Sequence, residues 1–292
     1  MNRPAQPVRD AATVMLVRDR PTGGMEVFML KRHLNSDFVG GAYVFPGGKV
    51  DDSDRADDLG DICSGRTDAG ASRLLGIEWG GLAYWVAAVR ECFEEAGVLL
   101  ASHRGGGRPP VISLSDPSTA ERFAAHRRRL NASELGLLDM CRQEDLIISA
   151  DRIHYFAHWI TPRGAPRRFD TRFFVAAAPP EQVALHDDYE TVANMWVRPH
   201  DALALHAGGE LDLILPTIKN LEAIGRFERS EDLLSAAEAI ESVPTITPRI
   251  SGTGEGVRIL LPGDLGYDQA LESGVMPQGM PLPGRPGGPE IE

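Results

Sequence analysis

The chain has 292 residues, 42% of them hydrophobic, which allows one large globular domain or two small ones. Lys and Arg total 30 against 42 Asp and Glu, a net charge of −12, which excludes a general basic surface and predicts no nucleic-acid binding. No apolar run reaches the length of about 18 residues that a membrane helix needs. The N-terminal MNRPAQPVRD lacks the apolar stretch of a secretory signal. We therefore expect a cytoplasmic protein without a membrane segment.

The N-terminal part of the chain predicts a small group of strands. Residues 1–10 are expected to form a flexible arm, and apolar strands at 12–17 and 25–30 are joined by a Gly-containing turn into a hairpin. A short third strand at 42–45 runs into Pro-Gly-Gly at 46–48. Proline ends strand pairing and glycine permits positive φ, so a tight turn is predicted there.

The middle of the chain predicts one clear helix between two inserted segments. Residues 51–81 are rich in Asp, Gly and Ser and predict mostly solvated loop with some helix. A helix over 82–96 should end at Gly97. Its apolar face is predicted to consist of Leu82, Trp85, Val86, Val89, Phe93 and Ala96. Asp116-Pro117 is a suitable cap and first position for a helical insertion that reaches residue 150.

The C-terminal half predicts further strands and helices. Strands at 154–160 and 171–177 are expected to pair. The remaining predicted elements are a strand at 194–197, helices at 199–206, 216–227 and 230–240, and a late edge strand at 257–261. From residue 276 onward Pro and Gly dominate without any apolar period, which predicts a disordered tail. Three cysteines, Cys63, Cys92 and Cys141, are too few and too scattered for a disulfide framework and are expected to be buried thiols.

Three glutamates share one face of the predicted helix at 82–96. Glu91, Glu94 and Glu95 stand at positions i, i+3 and i+4, so their carboxylates lie on one turn and repel one another. A hard divalent cation such as Mg²⁺ or Mn²⁺ would compensate this repulsion, because it prefers oxygen ligands. The residues alone leave a second interpretation open, a solvated acidic face on which Arg90 pairs with Glu94.

The sequence around these glutamates resembles the Nudix hydrolase superfamily. Residues 90–98, RECFEEAGV, match the REUxEExGU core of the Nudix box, and residues 45–50, FPGGKV, resemble the loop that precedes its helix. Asp54 stands where the family has a glutamate. Residues 55–89 separate the two halves of the box, where the family normally has seven residues. A long insert here is similar to that of the coenzyme A diphosphatases of the peroxisomal type.

The resemblance implies a fold and a set of site residues. We expect a Nudix α/β/α sandwich with a mixed β-sheet over residues 11–275, helical inserts near 55–81 and 115–150, and a tail at 276–292. The implied metal site consists of Glu91, Glu94, Glu95 and Gly48. The implied catalytic residues are Glu91, Arg90 and Glu190, and those that bind substrate are Arg32, Gly47 and Lys49.

The implied function is Mg²⁺- or Mn²⁺-dependent cleavage of the pyrophosphate bond in a small nucleotide-type substrate, with coenzyme A or an acyl-coenzyme A favoured. One alternative is hydrolysis of ADP-ribose, a dinucleotide or a nucleoside triphosphate. Another is a noncatalytic module that binds a nucleotide to regulate a partner, which Asp54 and the long insert would fit. A homodimer is expected from the family resemblance.

Overall fold

A computed structural model describes residues 7–34, 40–105, 110–163, 165, 167–187, 190–252 and 257–270, with the backbone of 290–291. The described strands are β1 (Val8–Asp19), β2 (Met25–Arg32), β3 (Tyr43–Val44), β4 (Gly47–Lys49), β5 (Ala101–His103), β6 (Leu146–Ile148), β7 (Ile153–Ile160), β8 (Arg168–Ala177), β9 (Thr191–Val197), β10 (Thr245–Ile246), β11 (Arg249–Ser251), β12 (Arg258–Leu260) and β13 (Glu290–Ile291). The described helices are α1 (Leu59–Ile62), α2 (Asp68–Leu75), α3 (Leu82–Ala96), α4 (Pro117–Asn131), α5 (Leu137–Gln143), α6 (Pro199–Ala207), α7 (Leu215–Ile224) and α8 (Ser230–Glu238).

Eight of the described strands form one mixed sheet, in which β10, β7, β8, β1, β2 and β3 follow one another. β1 pairs in parallel with β8 and antiparallel with β2 and β4, while β9 pairs antiparallel with β2. β7 and β8 pair antiparallel, as the sequence predicts. The predicted mixed sheet is therefore confirmed.

The core occupies both faces of this sheet. On β1, Ala12, Val14 and Leu16 contribute to one buried cluster, and Met15 and Val17 contribute to the other. A strand buried on both faces reads as a continuous apolar run rather than an alternating one, which is why residues 14–17 are all apolar. Buried residues of α1 to α5 belong to the first cluster, and those of α6, α7 and α8 belong to the second. This arrangement is the predicted α/β/α sandwich.

Several predicted boundaries differ from the structure. β1 begins at Val8 and pairs there with Arg168, so residues 8–10 belong to the sheet rather than to the predicted arm. The segment at 51–81 is less solvated than predicted, because α1 and α2 bury Leu59, Ile62 and Leu75. The late strand β12 pairs with β11 and β13 in a separate sheet, not at the edge of the main one.

The insertion at 115–150 contains α4 and α5 and also β6, which pairs with β5. Most of the predicted tail lies outside the described residues, and its Glu290–Ile291 forms β13. The three cysteines are free and buried, as predicted. In the described ranges, no helix has both the length and the apolar character needed to cross a bilayer.

Candidate active site

Arg90 is the centre of a buried network on α3. Its Nε and Nη2 donate to the two carboxylate oxygens of Asp54 at 2.9 Å each. Its Nη1 donates to Glu91 Oε1 at 2.9 Å and to Glu94 Oε2 at 3.0 Å, and Nη2 also donates to the backbone oxygen of Lys49 at 2.8 Å. The planar guanidinium thus fixes the loop before the insert to the carboxylate face of the helix.

The electrostatics of this network favour the charged form of Arg90. Burial lowers the pKa of Arg90, but the hydrogen bonds to Asp54 and the charges of Glu91 and Glu94 outweigh it and hold that pKa above its ordinary value. Asp54 is 1% exposed. The shorter carboxylate at this position therefore forms a buried bidentate pair with Arg90 and is not a solvated loop residue.

β4 brings two glycines against the same carboxylates. Gly47 N donates to Glu95 Oε2 at 2.9 Å. A Cβ at Gly47 would lie 2.6 Å from the backbone oxygen of Ala12, and a Cβ at Gly48 would lie 2.7 Å from Glu91 Oε2. The predicted tight turn is wrong here, because both glycines are part of a strand that pairs with β1, and neither has positive φ. Glycine is needed at position 47 because a Cβ would clash with β1, and at position 48 because a Cβ would clash with the Glu91 carboxylate.

Burial raises the pKa of all three glutamates. It raises the pKa of Glu91 to about 7, with Arg90 acting in the opposite direction and Glu94 and Glu190 adding to the rise. Burial also raises the pKa of Glu94, and together with the charge of Glu91 it raises the pKa of Glu95 well above its ordinary value. The negative charge on this face is therefore only partly compensated by the protein.

Such a carboxylate group suits a hard divalent cation, which prefers oxygen ligands. In the part of the chain that the structure describes, no three His, Cys, Asp or Glu side chains stand together as a ligand set. Glu91 and Glu94 bond to Arg90, and Glu95 bonds to Gly47. Binding a cation would therefore require these side chains to rotate toward one another. The residues fit such an ion in chemistry and charge.

A cleft of about 1650 Å³ opens over the carboxylates and contains the other predicted residues. Arg32 lies at the end of β2, and its charge acts on Glu95. Within the described residues, the buried Nε of Arg32 has no hydrogen-bond partner. Glu190 is exposed in this cleft, and its charge acts on Glu91 and Glu95. Lys49 also lines the cleft, with an exposed side chain and its backbone oxygen bonded to Arg90.

The insert between the two halves of the site holds the start of α3. Asp68 on α2 accepts hydrogen bonds from Gly80 N and Leu82 N, both at 3.0 Å. Ser72 accepts one from Gly81 N at 2.9 Å. Three consecutive N–H groups at the helix start thus find partners on α2, which satisfies donors that a helix cannot satisfy itself.

The second insert holds the other end of the helix. Arg127 on α4 donates to the backbone oxygens of Glu94 at 2.9 Å, Glu95 at 2.8 Å and Leu185 at 3.0 Å. Gly97 ends α3 in the left-handed conformation at φ 69°, which confirms the predicted stop. The helix that carries the carboxylates is therefore fixed at both ends by inserted segments.

The structure brings together every predicted site residue at or beside one cleft. They are Arg32, Gly47, Gly48, Lys49, Arg90, Glu91, Glu94, Glu95 and Glu190. The pairing of Arg90 with Glu94 is confirmed. Asp68, Ser72 and Arg127 were not predicted, because their contacts lie far along the chain and no local pattern distinguishes them from other polar residues.

Comparison with known proteins identifies the family. The family model described as the NUDT19 Nudix domain matches residues 71–224, more than half of the 292 residues. The chain is 30% identical over 278 residues to the acyl-coenzyme A diphosphatase NUDT19 of Homo sapiens. This alignment covers 85% of the present chain and 73% of the human protein. The chain belongs to the NUDT19 Nudix family.

Further relatives agree with this Nudix assignment. The acyl-coenzyme A diphosphatase NUDT19 of Gallus gallus is 26% identical over 304 residues, covering 89% of this chain and 80% of that protein. A crystal structure of a Nudix hydrolase from Alicyclobacillus acidocaldarius superposes with a TM-score of 0.64 at 24% identity, covering 82% of this chain and 99% of that one. The Nudix fold and the prediction of a Nudix pyrophosphohydrolase are confirmed.

Proposed function

We propose that the protein hydrolyses the pyrophosphate bond of coenzyme A or of an acyl-coenzyme A, with Mg²⁺ or Mn²⁺ as the cofactor. The observation that carries this proposal is the similarity over 85% of the chain to a protein named as an acyl-coenzyme A diphosphatase. The Arg90 network supports it, because all three Nudix-helix glutamates are retained and Asp54 takes the place of the family's glutamate.

The three glutamates would hold the cation, and the backbone oxygen of Gly48 would be a further ligand. The cation would neutralise the phosphate oxygens and lower the pKa of the attacking water. Arg90 keeps Glu91 and Glu94 oriented through its hydrogen bonds. Glu91 and Glu190 are the two candidates for the base that takes the proton from water.

Cationic side chains around the cleft would bind the diphosphate of the substrate. Arg32 has a buried Nε without a partner among the described residues, and a phosphate oxygen would satisfy it. Gly47 lets the backbone approach closely, and the ammonium of Lys49 is exposed in the same cleft. Hydrolysis would release phosphopantetheine, or its acyl thioester, together with adenosine 3′,5′-bisphosphate.

The test is a product assay with purified protein. Coenzyme A is incubated with protein and Mg²⁺, Mn²⁺ or a chelator. The products are separated by chromatography and identified by mass spectrometry. We expect phosphopantetheine with either ion and none with the chelator. Absence of phosphopantetheine under all conditions would defeat the substrate assignment, and a panel of ADP-ribose, dinucleotides and nucleoside triphosphates would then separate the alternatives.

The noncatalytic alternative loses its main support. Asp54 suggested a degraded site, but its carboxylate holds Arg90 through two hydrogen bonds.

The cytoplasmic location, the homodimer and the lack of nucleic-acid binding stay predictions. Light scattering on the purified protein would test the homodimer, and a labelled duplex in a mobility-shift assay would test nucleic-acid binding.

A further inference from the structure

α4 places a row of arginines beside the carboxylates. The helix is fixed against the end of α3, because Phe123 packs on Phe93 with ring centroids 6.5 Å apart and Arg127 donates to the backbone oxygens of Glu94 and Glu95. The two residues that follow Arg127 are also arginines. Their positions relative to the glutamates are therefore set by a rigid contact between helices.

Arg128 and Arg129 differ from the other arginines of the insert at 115–150. Arg122 bonds to Glu144, and Arg142 bonds to Asp58 and Asp139. Arg128 and Arg129, in contrast, are exposed and make no side-chain hydrogen bond or ion pair with any described residue.

Arg128 and Arg129 occupy neighbouring positions on α4, and arginines without a counter-charge at one cleft offer an anion-binding surface. Both arginines line the cleft that contains Glu94 and Glu95. Glu134 and Asp139 lie on the same side of the cleft but do not neutralise the pair, because Glu134 forms no ion pair in the described residues and Asp139 bonds to Arg142. The free positive charge of this cleft wall is thus concentrated at Arg128 and Arg129.

The cleft is larger than a diphosphate needs and has walls of different chemistry. Its volume of about 1650 Å³ exceeds the roughly 300–1,000 Å³ of ordinary ligand pockets. Another part of the lining is apolar and includes Trp159, Phe173 and Leu215, which belong to one buried cluster. A substrate with a charged end and a less polar end, joined by a diphosphate, matches this division.

We propose that Arg128 and Arg129 bind a second phosphate group of the substrate, a phosphomonoester outside the diphosphate that is cleaved. This group is the 3′-phosphate on the ribose of coenzyme A, an assignment that rests on the proposed function. The pair then determines specificity, because it separates coenzyme A from nucleotides that carry the same diphosphate without the additional phosphomonoester.

The experiment compares coenzyme A with 3′-dephospho-coenzyme A, which differs only by this phosphate. Steady-state kinetics are measured for the wild-type protein, for the double variant Arg128→Gln/Arg129→Gln, and for Arg226→Gln, an exposed arginine outside the cleft. We expect the double variant to raise KM for coenzyme A roughly 10- to 100-fold, with kcat within about twofold and KM for dephospho-coenzyme A within about twofold. The Arg226→Gln variant should match the wild type with both substrates.

Two outcomes would overturn the proposal. One is an unchanged KM for coenzyme A in the double variant, and the other is an equal rise in KM for both substrates. The variant Arg128→Lys/Arg129→Lys, which keeps the charge, should recover part of the affinity for coenzyme A.

A binding measurement separates this proposal from the proposed function. Calorimetric titrations with adenosine 3′,5′-bisphosphate and with 5′-AMP do not depend on turnover. If coenzyme A is not hydrolysed but the bisphosphate binds more tightly than AMP, and only while Arg128 and Arg129 are present, the proposed function fails and the phosphate site stands. If coenzyme A is hydrolysed but the two nucleotides bind equally, the phosphate site fails and the proposed function stands.

Discussion

Replacing Asp54 with alanine would remove the main partner of Arg90 and should be among the most destabilising changes in the protein. The carboxylate of Asp54 accepts two hydrogen bonds from the guanidinium at 2.9 Å each and a third from Asp51 N at 2.9 Å. The side chains of Arg90 and Asp54 are 9% and 2% exposed, so water cannot replace the lost partner. The substitution leaves a buried cation with part of its hydrogen bonding unsatisfied.

The magnitude follows from that burial. Removing one partner of a buried ion pair costs about 3–5 kcal/mol, and we expect the lower end here, because Glu91 and Glu94 still accept from Nη1. A loss of about 3 kcal/mol in a domain somewhat smaller than this chain lowers the unfolding midpoint by roughly 6–12 °C. Turnover should fall as well, because an Arg90 side chain that Asp54 no longer fixes cannot hold Glu91 and Glu94 in their positions.

Urea unfolding followed by tryptophan fluorescence measures this effect, since Trp85 and Trp159 are buried. The control is Asp52→Ala, which removes an exposed carboxylate from the same short turn and should change the free energy of unfolding by no more than about 0.5 kcal/mol. Equal stabilities for the Asp54→Ala and Asp52→Ala variants would show that the Asp54–Arg90 pair does not stabilise the fold.

Three further predictions concern the same helix. Burial raises the pKa of Glu91 from 4.5 to about 7. Protonation of Glu91 therefore stabilises the folded state at low pH, and this stabilisation is lost as the pH rises from about 4.5 to about 7. The melting temperature without added metal should be lower at pH 8 than at pH 6, and this difference should shrink in Glu91→Gln; a Glu91→Gln profile identical to wild type would contradict it. Asp68→Ala should cost about 1–2 kcal/mol in urea unfolding by removing the cap of α3, unlike the exposed control Glu78→Ala, and equal costs for the two would exclude the cap. Gly97→Ala should cost about 1–2 kcal/mol because of its positive φ, and should also slow turnover by displacing Arg127; unchanged stability and turnover would contradict both effects.

Local patterns were sufficient to predict the centre of the fold and of the site. The apolar period at 82–96 and the stop at Gly97 predicted α3 with its observed bounds. Residues at positions i, i+3 and i+4 share one face of any α-helix. The common face of Glu91, Glu94 and Glu95 could therefore be predicted from their spacing alone. The resemblance of residues 45–50 to the Nudix loop located the glycines that approach those carboxylates.

The contacts that fix the site could not be read from the sequence. Gly47 and Gly48 were expected in a turn, but their sheet partner on β1 lies more than thirty residues earlier in the chain. Asp54 stood in an acidic loop, and only the folded chain shows that Arg90 is its partner. Asp68 and Arg127 act on backbone groups of α3, and such bonds leave no pattern of residue types to recognise.

In the proposed function, the α3 glutamates hold a divalent cation for cleavage of a diphosphate. The most direct test is Glu94→Gln, which keeps the size of the side chain and removes its charge, measured beside Glu78→Gln as an exposed control. Mn²⁺ binding by electron paramagnetic resonance and coenzyme A hydrolysis are followed on the same preparations. We predict that Glu94→Gln weakens Mn²⁺ binding and lowers kcat roughly 100-fold or more, while the control matches the wild type. Wild-type Mn²⁺ binding and turnover in Glu94→Gln would contradict a metal site on the α3 glutamates.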